Sequence, residues 1–244
     1  MVITSLDNDK VKKYRKLQKK KYRDEYGEYI VEGLHLILEA YKTGVLEELI
    51  LEEGVDLPVA GPYTYFSKEI MSKISTMDTP SSIMGLCRKI KSDEVKGNKI
   101  LILDGIQDPG NLGTIIRSAV AFNVDTIVLS ENTVDLYNPK VLRATQGMFF
   151  HINIINCLAF EVISMLQNID IPVYGTSVLN GVDVRTLTKD DKDAFALVVG
   201  NEGSGVRSDI LAVCDKNLYI QMNKNVESLN VAIAASILLY ELGR

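Results

Sequence analysis

Three short stretches of the sequence hold the residues whose types and spacing could do chemistry. In "VVGNEGSGVRSDIL" (198–211) an apolar run ends in a loop with three glycines and then takes up a helical pattern. Such a loop lets backbone N–H groups approach an anionic ligand at a helix start, yet Glu202 sits in its middle and would repel a phosphate. The pattern is G-x-x-G-x-G, not the G-x-G-x-x-G of a dinucleotide site, and no G-x-x-x-x-G-K-[ST] occurs in the chain. In "LILDGIQDPGNLGTIIRSAVAFN" (101–123) Pro109-Gly110 marks a turn, Asn111 is a candidate N-cap, and Arg117 follows on the same helix. Arg117 either pairs with a nearby carboxylate or, together with Asn111, faces a phosphate or ribose, for which its fixed fork of donors is suited. In "LYIQMNKNVESLNVAIAAS" (218–236) a strand is expected to end near Met222 and a long apolar helix to begin at Glu227 or Ser228. Oxygens and free N–H groups at that helix start could cap it or hold a ligand.

The elements around these stretches explain how they could meet. From residue 99, the apolar runs "KILILD", "DTIVLS", "IPVYGTS", "FALVVG" and "LYIQM" alternate with segments of helical periodicity. Doubly buried strands alternating with helices predict a parallel α/β sheet covered on both faces. Ligands in such sheets bind beyond the carboxyl ends of the strands, where all three stretches lie. Before residue 90 the pieces are shorter: a basic helix, "EYIVEG", a helix over 34–42, "LEELILEE", "PYTYFS" and "IMGLCRKI". The polar "KSDEVKGN" (91–98) reads as a linker.

A net charge of −5 hides an asymmetry. "KVKKYRKLQKKKYR" (10–23) holds nine Lys/Arg and no acid, leaving 18 basic against 32 acidic residues, a net of −14, for the rest. The run is either a solvated helix face anchored by Val11, Tyr14 and Leu17 or a polyanion contact in which Tyr14 and Tyr22 stack on bases. Three scattered cysteines and two histidines support neither a disulfide framework nor a zinc site. No apolar run approaches the roughly 20 residues of a membrane span, and the amino terminus has no signal-peptide core, so a cytoplasmic protein is expected.

"NLGTIIRSA", "VVGNEGSGV" and "IQMNKNVESLNVAIAAS", in this order and spacing, resemble the three motifs of the SpoU (TrmH-type) family of RNA ribose 2'-O-methyltransferases, within the knotted SPOUT superfamily. "DLYNPKVLRATQG" (135–147) resembles the family's connecting segment. "VEGLHLILEA" and "ISTMDTPSSIMG" resemble its small RNA-binding domain, similar to the ribosomal L30e-type fold. Asn123 stands where glycine is expected and Thr145 where many relatives carry serine. The resemblance implies an α/β chain with an L30e-like RNA-binding domain over 1–92 and a parallel-sheet SPOUT methyltransferase domain over 97–244 that is threaded as a trefoil knot. It implies S-adenosylmethionine as cofactor, contacted by Gly200, Ile220 and Leu229 largely through main chain. A positive sulfonium without phosphate would remove the conflict with Glu202.

By match to the first motif, Arg117 is the expected centre of methyl transfer to a ribose 2'-hydroxyl. Asn111, Glu202, Ser228 and Asn230 would shape that site, with Glu202 as an alternative proton acceptor. RNA contacts are expected from Lys10, Lys12, Lys13, Arg15, Lys19, Lys20, Lys21 and Arg23, and from Arg143 in the connecting segment. A homodimer is expected, in which two chains jointly complete each site, without metal or membrane. Ribosomal RNA is the preferred substrate and transfer RNA the alternative. The rival readings are a catalytically silent RNA-binding relative and a Rossmann-type oxidoreductase, which the missing early G-x-G-x-x-G disfavours.

Overall fold

In the computed structural model, which describes residues 2–178 and 181–244, the chain divides between residues 91 and 92. One unit comprises Met1–Lys91 with Asp135–Phe150, the other Ser92–Val134 with His151–Arg244. A linear reading assigns 135–150 to the second domain; in the structure these residues pack with the first unit.

The first unit is built from β1 (Val2–Ile3), α1 (Asp9–Lys16), α2 (Lys20–Tyr26), β2 (Glu28–Glu32), α3 (Leu34–Lys42), β3 (Leu46–Glu52), β4 (Tyr63–Phe66), α4 (Lys68–Ile74) and β5 (Ile83–Arg88). The strands form one mixed sheet in the order β1-β4-β3-β5-β2. Its core gathers Val11, Tyr14 and Leu17 against Ile50, Phe66, Ile70, Ile74 and Met84. The basic run is therefore two short helices, not one, and its apolar positions are spent on the core. Tyr14, read from the sequence as either a core anchor or a stacking residue, is the former: it is 1% exposed, with its hydroxyl donating to Glu48 at 2.9 Å. Arg23 is also a correction to the set of RNA contacts. It is 4% exposed and donates to Asp135 at 2.6 Å and to the carbonyls of Leu17 and Gln18. A guanidinium committed in this way is a strut, because burying it unpaired would be costly.

The second unit carries β6 (Lys99–Asp104), α5 (Pro109–Ala121) and β7 (Thr126–Leu129). After α6 (Pro139–Ala144), which belongs to the first unit, come β8 (Asn153–Asn156), α7 (Ala159–Gln167), β9 (Val173–Thr176), β10 (Val182–Asp183), α8 (Asp190–Asp193), β11 (Phe195–Gly200), α9 (Ser208–Val213), β12 (Lys216–Tyr219) and α10 (Val231–Leu242). Seven strands, all parallel, run in the order β10-β12-β9-β11-β6-β7-β8. Strand alternation places Ile100 and Ile102 against α7 and α9, while Leu101 and Leu103 are buried on the opposite face. There α5 and α10 pack together, joined by a 2.7 Å hydrogen bond between the Ser118 and Ser236 hydroxyls and by the Phe122–Tyr240 ring contact.

The pairing of β11 with β6 ends at Gly200 opposite Asp104, so the first and second loops leave the same sheet edge side by side. This is also where the chain's progress across the sheet reverses, the place where open parallel sheets form ligand crevices. Helix starts depart from the sequence expectation at two places. Asp108, not Asn111, caps α5, accepting from the Asn111 amide, with Pro109 as the first helical residue. Asn230, not Glu227 or Ser228, caps α10. Arg207 occupies the cap position of α9 without a side-chain cap bond. β12 ends at Tyr219, three residues before the expected Met222.

Candidate active site

Glu202 anchors the site. Its carboxylate accepts from the backbone amides of Asp108 (2.9 Å) and Gln107 (3.2 Å), from Asn111 Nδ2 (3.1 Å) and from Asn201 Nδ2 (3.4 Å). Burial alone would raise this carboxyl, but the hydrogen bonds from Asp108, Asn111 and Gln107 outweigh it and hold it below the ordinary carboxylate range. Asn111 Oδ1 in turn accepts from Asn230 Nδ2 at 2.9 Å, and Asn230 Oδ1 accepts from the Ala232 and Ile233 amides at the start of α10. One residue from each of the three sequence stretches thus enters a single hydrogen-bonded chain.

The glycine loop explains itself at close range. A Cβ on Gly200 would lie 2.0 Å from the Val206 amide nitrogen and 2.1 Å from the Gly205 carbonyl carbon. The loop folds back on its own strand, closed by hydrogen bonds in both directions between Asn201 and Gly205 backbone groups. Asn201, which the sequence reading passed over, shapes this turn. Its Oδ1 accepts from the amides of Gly203 (2.9 Å) and Ser204 (3.2 Å), while its Nδ2 donates to the Gly105 carbonyl at 2.9 Å. Asn followed by Gly two residues later is an Asx-turn signature, so a local signal existed. Asp104 and Arg207 form a second support that no local pattern signals. Asp104, 3% exposed at the end of β6, accepts from the Arg207 amide (3.1 Å) and Nε (2.9 Å), pinning the start of α9 beneath the loop.

Beside the network lies a cavity of about 290 Å³. All three expected cofactor contacts, Gly200, Ile220 and Leu229, line it, with Glu202 and Ser228. Thr176, Asn201 and Ser204 add polar groups, Leu218 and Leu238 apolar ones. Among the described residues no Lys or Arg side chain lines it, and Glu202 is its one charged residue. This donor set suits a ligand with an apolar body and a positive charge. It opposes a phosphate, which would meet a carboxylate with no cation to offset it.

Arg117 stands apart from this chain of residues. It lies with Gly110, Thr114 and Ala121 on the solvent stripe of α5, exposed and without an ion-pair partner among the described residues. Of its two readings, the pairing with a neighbouring carboxylate is absent among the described residues. The cations of the basic run divide into two sets. Lys10 bonds Glu48, Lys12 Asp7, Lys13 Glu28 and Lys20 Asp24. Arg15, Lys16, Lys19 and Lys21 are exposed and have no carboxylate partner among the described residues. Arg143 donates one nitrogen to Thr76 Oγ1 at 2.9 Å.

Residues 98–240 match the SpoU rRNA Methylase family model, and residues 8–85 match the MRM3-like substrate binding domain model. The 23S rRNA (guanosine(2553)-2'-O)-methyltransferase of Bacillus subtilis is 38% identical over 98% of this chain and 98% of its own length. Human mitochondrial rRNA methyltransferase 3 is 31% identical over 90% of this chain and 68% of its own length. Among solved structures, the AdoMet-bound rRNA methyltransferase of Sinorhizobium meliloti is similar with a TM-score of 0.87 at 29% identity, covering 99% of this chain and 97% of that one.

Proposed function

The chain belongs to the SpoU rRNA methylase family, and on that premise we propose that it transfers a methyl group from S-adenosylmethionine to a ribose 2'-hydroxyl of structured ribosomal RNA. The observation that carries this reading is the hydrogen-bonded chain from Glu202 through Asn111 to Asn230, which ties three loops together beside a cavity that no cation lines among the described residues. When bound, the cofactor supplies an electrophilic methyl carbon on a positive sulfonium. Gly200, Ile220 and Leu229 would hold it through main chain and apolar contact, with the hydroxyls of Ser204 and Ser228 at hand.

The remaining work falls to the chain's polar residues. A hydroxyl is a poor nucleophile and must be oriented at near-attack distance. A guanidinium with a pKa above about 12 is a reluctant base, so Arg117 fixes the phosphate next to the target ribose and polarises the 2'-hydroxyl. The proton then leaves to a phosphate oxygen or water. Glu202 is ionised, but its lone pairs are occupied by four donors, which favours a role in holding the loops over one in accepting that proton.

The active form is a homodimer in this reading. Ile233 is 53% and Tyr240 47% exposed on α10, next to the helix that carries Arg117, and an apolar helix of this kind needs cover on several sides. A partner seated there would give each exposed Arg117 a second chain with which to complete a site. The strand order and the return of α10 onto α5 are what a trefoil knot in the second unit would leave. The cytoplasm is the proposed place of action.

The test is to map ribose methylation across ribosomal and transfer RNA in a deletion strain, then to treat its 23S rRNA with purified protein and S-adenosylmethionine. The expected result is one ribosomal nucleotide that loses its methyl group in the strain and regains it in vitro. Loss at a transfer RNA nucleotide would replace the substrate. Intact methylation everywhere would support the silent relative.

A further inference from the structure

Of the tyrosines in or beside the basic run, Tyr14 is consumed by the core, whereas Tyr22 and Tyr26 are not. They sit four residues apart on α2, and their rings stack with centroids 6.1 Å apart and planes inclined by 26°. Neither hydroxyl has a hydrogen-bond partner among the described residues. Lys16 Nζ lies 5.4 Å and Lys21 Nζ 5.6 Å from the Tyr22 ring centre, and Lys13 Nζ 5.9 Å from that of Tyr26. The four cations without carboxylate partners, Arg15, Lys16, Lys19 and Lys21, flank the same pair in sequence. The other lysines of the run are held by acids, and one of the two acids of α2, Asp24, is itself bonded by Lys20 and Lys89.

We infer that Tyr22 and Tyr26 form a stacking platform for an unpaired base of the RNA, with the phosphates on either side of that base held by Arg15, Lys16, Lys19 and Lys21. The inference rests on the reading that the substrate is RNA and narrows it to RNA presenting an unstacked base. A duplex buries its π-faces between neighbouring pairs and offers such a platform nothing, whereas loops and bulges offer whole faces. Aromatic stacking is tolerant of sequence and works alongside cations that track the backbone. The two contributions separate by salt: phosphate neutralisation makes affinity fall with salt, and stacking leaves that slope alone.

The test uses the full chain with two RNA probes of equal length, a hairpin with an unpaired loop carrying 2-aminopurine and a perfect duplex. Wild type is expected to prefer the hairpin and to quench its 2-aminopurine. The double variant Tyr22→Leu, Tyr26→Leu should lose roughly 5- to 100-fold in hairpin affinity at every salt concentration, with the slope unchanged and little effect on the duplex. Tyr22→Phe with Tyr26→Phe should keep wild-type affinity, since the rings remain. The triple variant Arg15→Ala, Lys19→Ala, Lys21→Ala should flatten the slope of log affinity against log salt by about two units, at about 0.7 per phosphate. Unchanged circular dichroism and thermal unfolding of the full chain certify the fold of each variant. Equal wild-type affinity for hairpin and duplex, wild-type binding without quenching, or a leucine variant that binds normally would each overturn the platform while leaving the RNA reading intact. Wild type that binds neither probe nor ribosomal RNA would overturn that reading itself.

Discussion

A guanidinium on the solvent stripe of a helix, with no carboxylate partner among the described residues, keeps its donors for another molecule. That is the situation of Arg117, and it separates binding from turnover. Arg117→Ala removes no residue of the cavity lining, so S-adenosylmethionine affinity should stay within a few-fold of wild type. Methyl transfer should fall by at least about 10²-fold, the usual cost of losing a group that meets charge developing in the transition state. Single-turnover kinetics at saturating RNA read this directly, and near-normal turnover would refute the role. Glu202 is the converse case. Its charge is spent inside the chain, on amides and side-chain donors of two loops, so it has little left to give a substrate.

At the scale of elements, the second loop is held by its own backbone before any ligand arrives. The Cβ introduced by Gly200→Ala would collide with main-chain atoms of Gly205 and Val206, which cannot yield as a flexible side chain would. The loop must open, and calorimetry should show S-adenosylmethionine affinity at least about tenfold weaker, a loss of about 1.4 kcal/mol, with RNA binding retained. Wild-type cofactor affinity would show that the loop tolerates the change. The parallel strands were legible in the sequence because "KILILD" and "FALVVG" are apolar on both faces. The short strand β8 was not, since "NIIN" has polar residues at both ends, and β10 is two residues at a sheet edge. Caps were half legible. Asp108-Pro109 carries the local signature of a helix start, but Ser228 and Asn230 are equally good caps in isolation. What distinguishes Asn230 is its bond to Asn111, more than a hundred residues away, which no local pattern contains. Asp104 with Arg207 is hidden for the same reason: each looks ordinary until the strand end and the helix start meet.

At the scale of the molecule, two features point outward: cations gathered at one end of an acidic chain, and apolar side chains left bare on the last helix. The second predicts that sedimentation at micromolar concentration gives twice the 27.1 kDa chain mass. Ile233→Asp, which would bury a charge in the pairing face, should shift the mass to the monomer and lower methyl transfer together. A monomeric wild type with full activity would refute the dimer. The excursion of residues 135–150 into the first unit carries a different consequence. Tyr137 and Phe149 pack on the buried Tyr29, with ring centres 4.6 Å and 6.2 Å away, and Asp135 neutralises Arg23. The first unit is therefore not one contiguous stretch of chain. A fusion made by cutting at residue 92 would carry away an arginine without its counterion and a tyrosine without its cover.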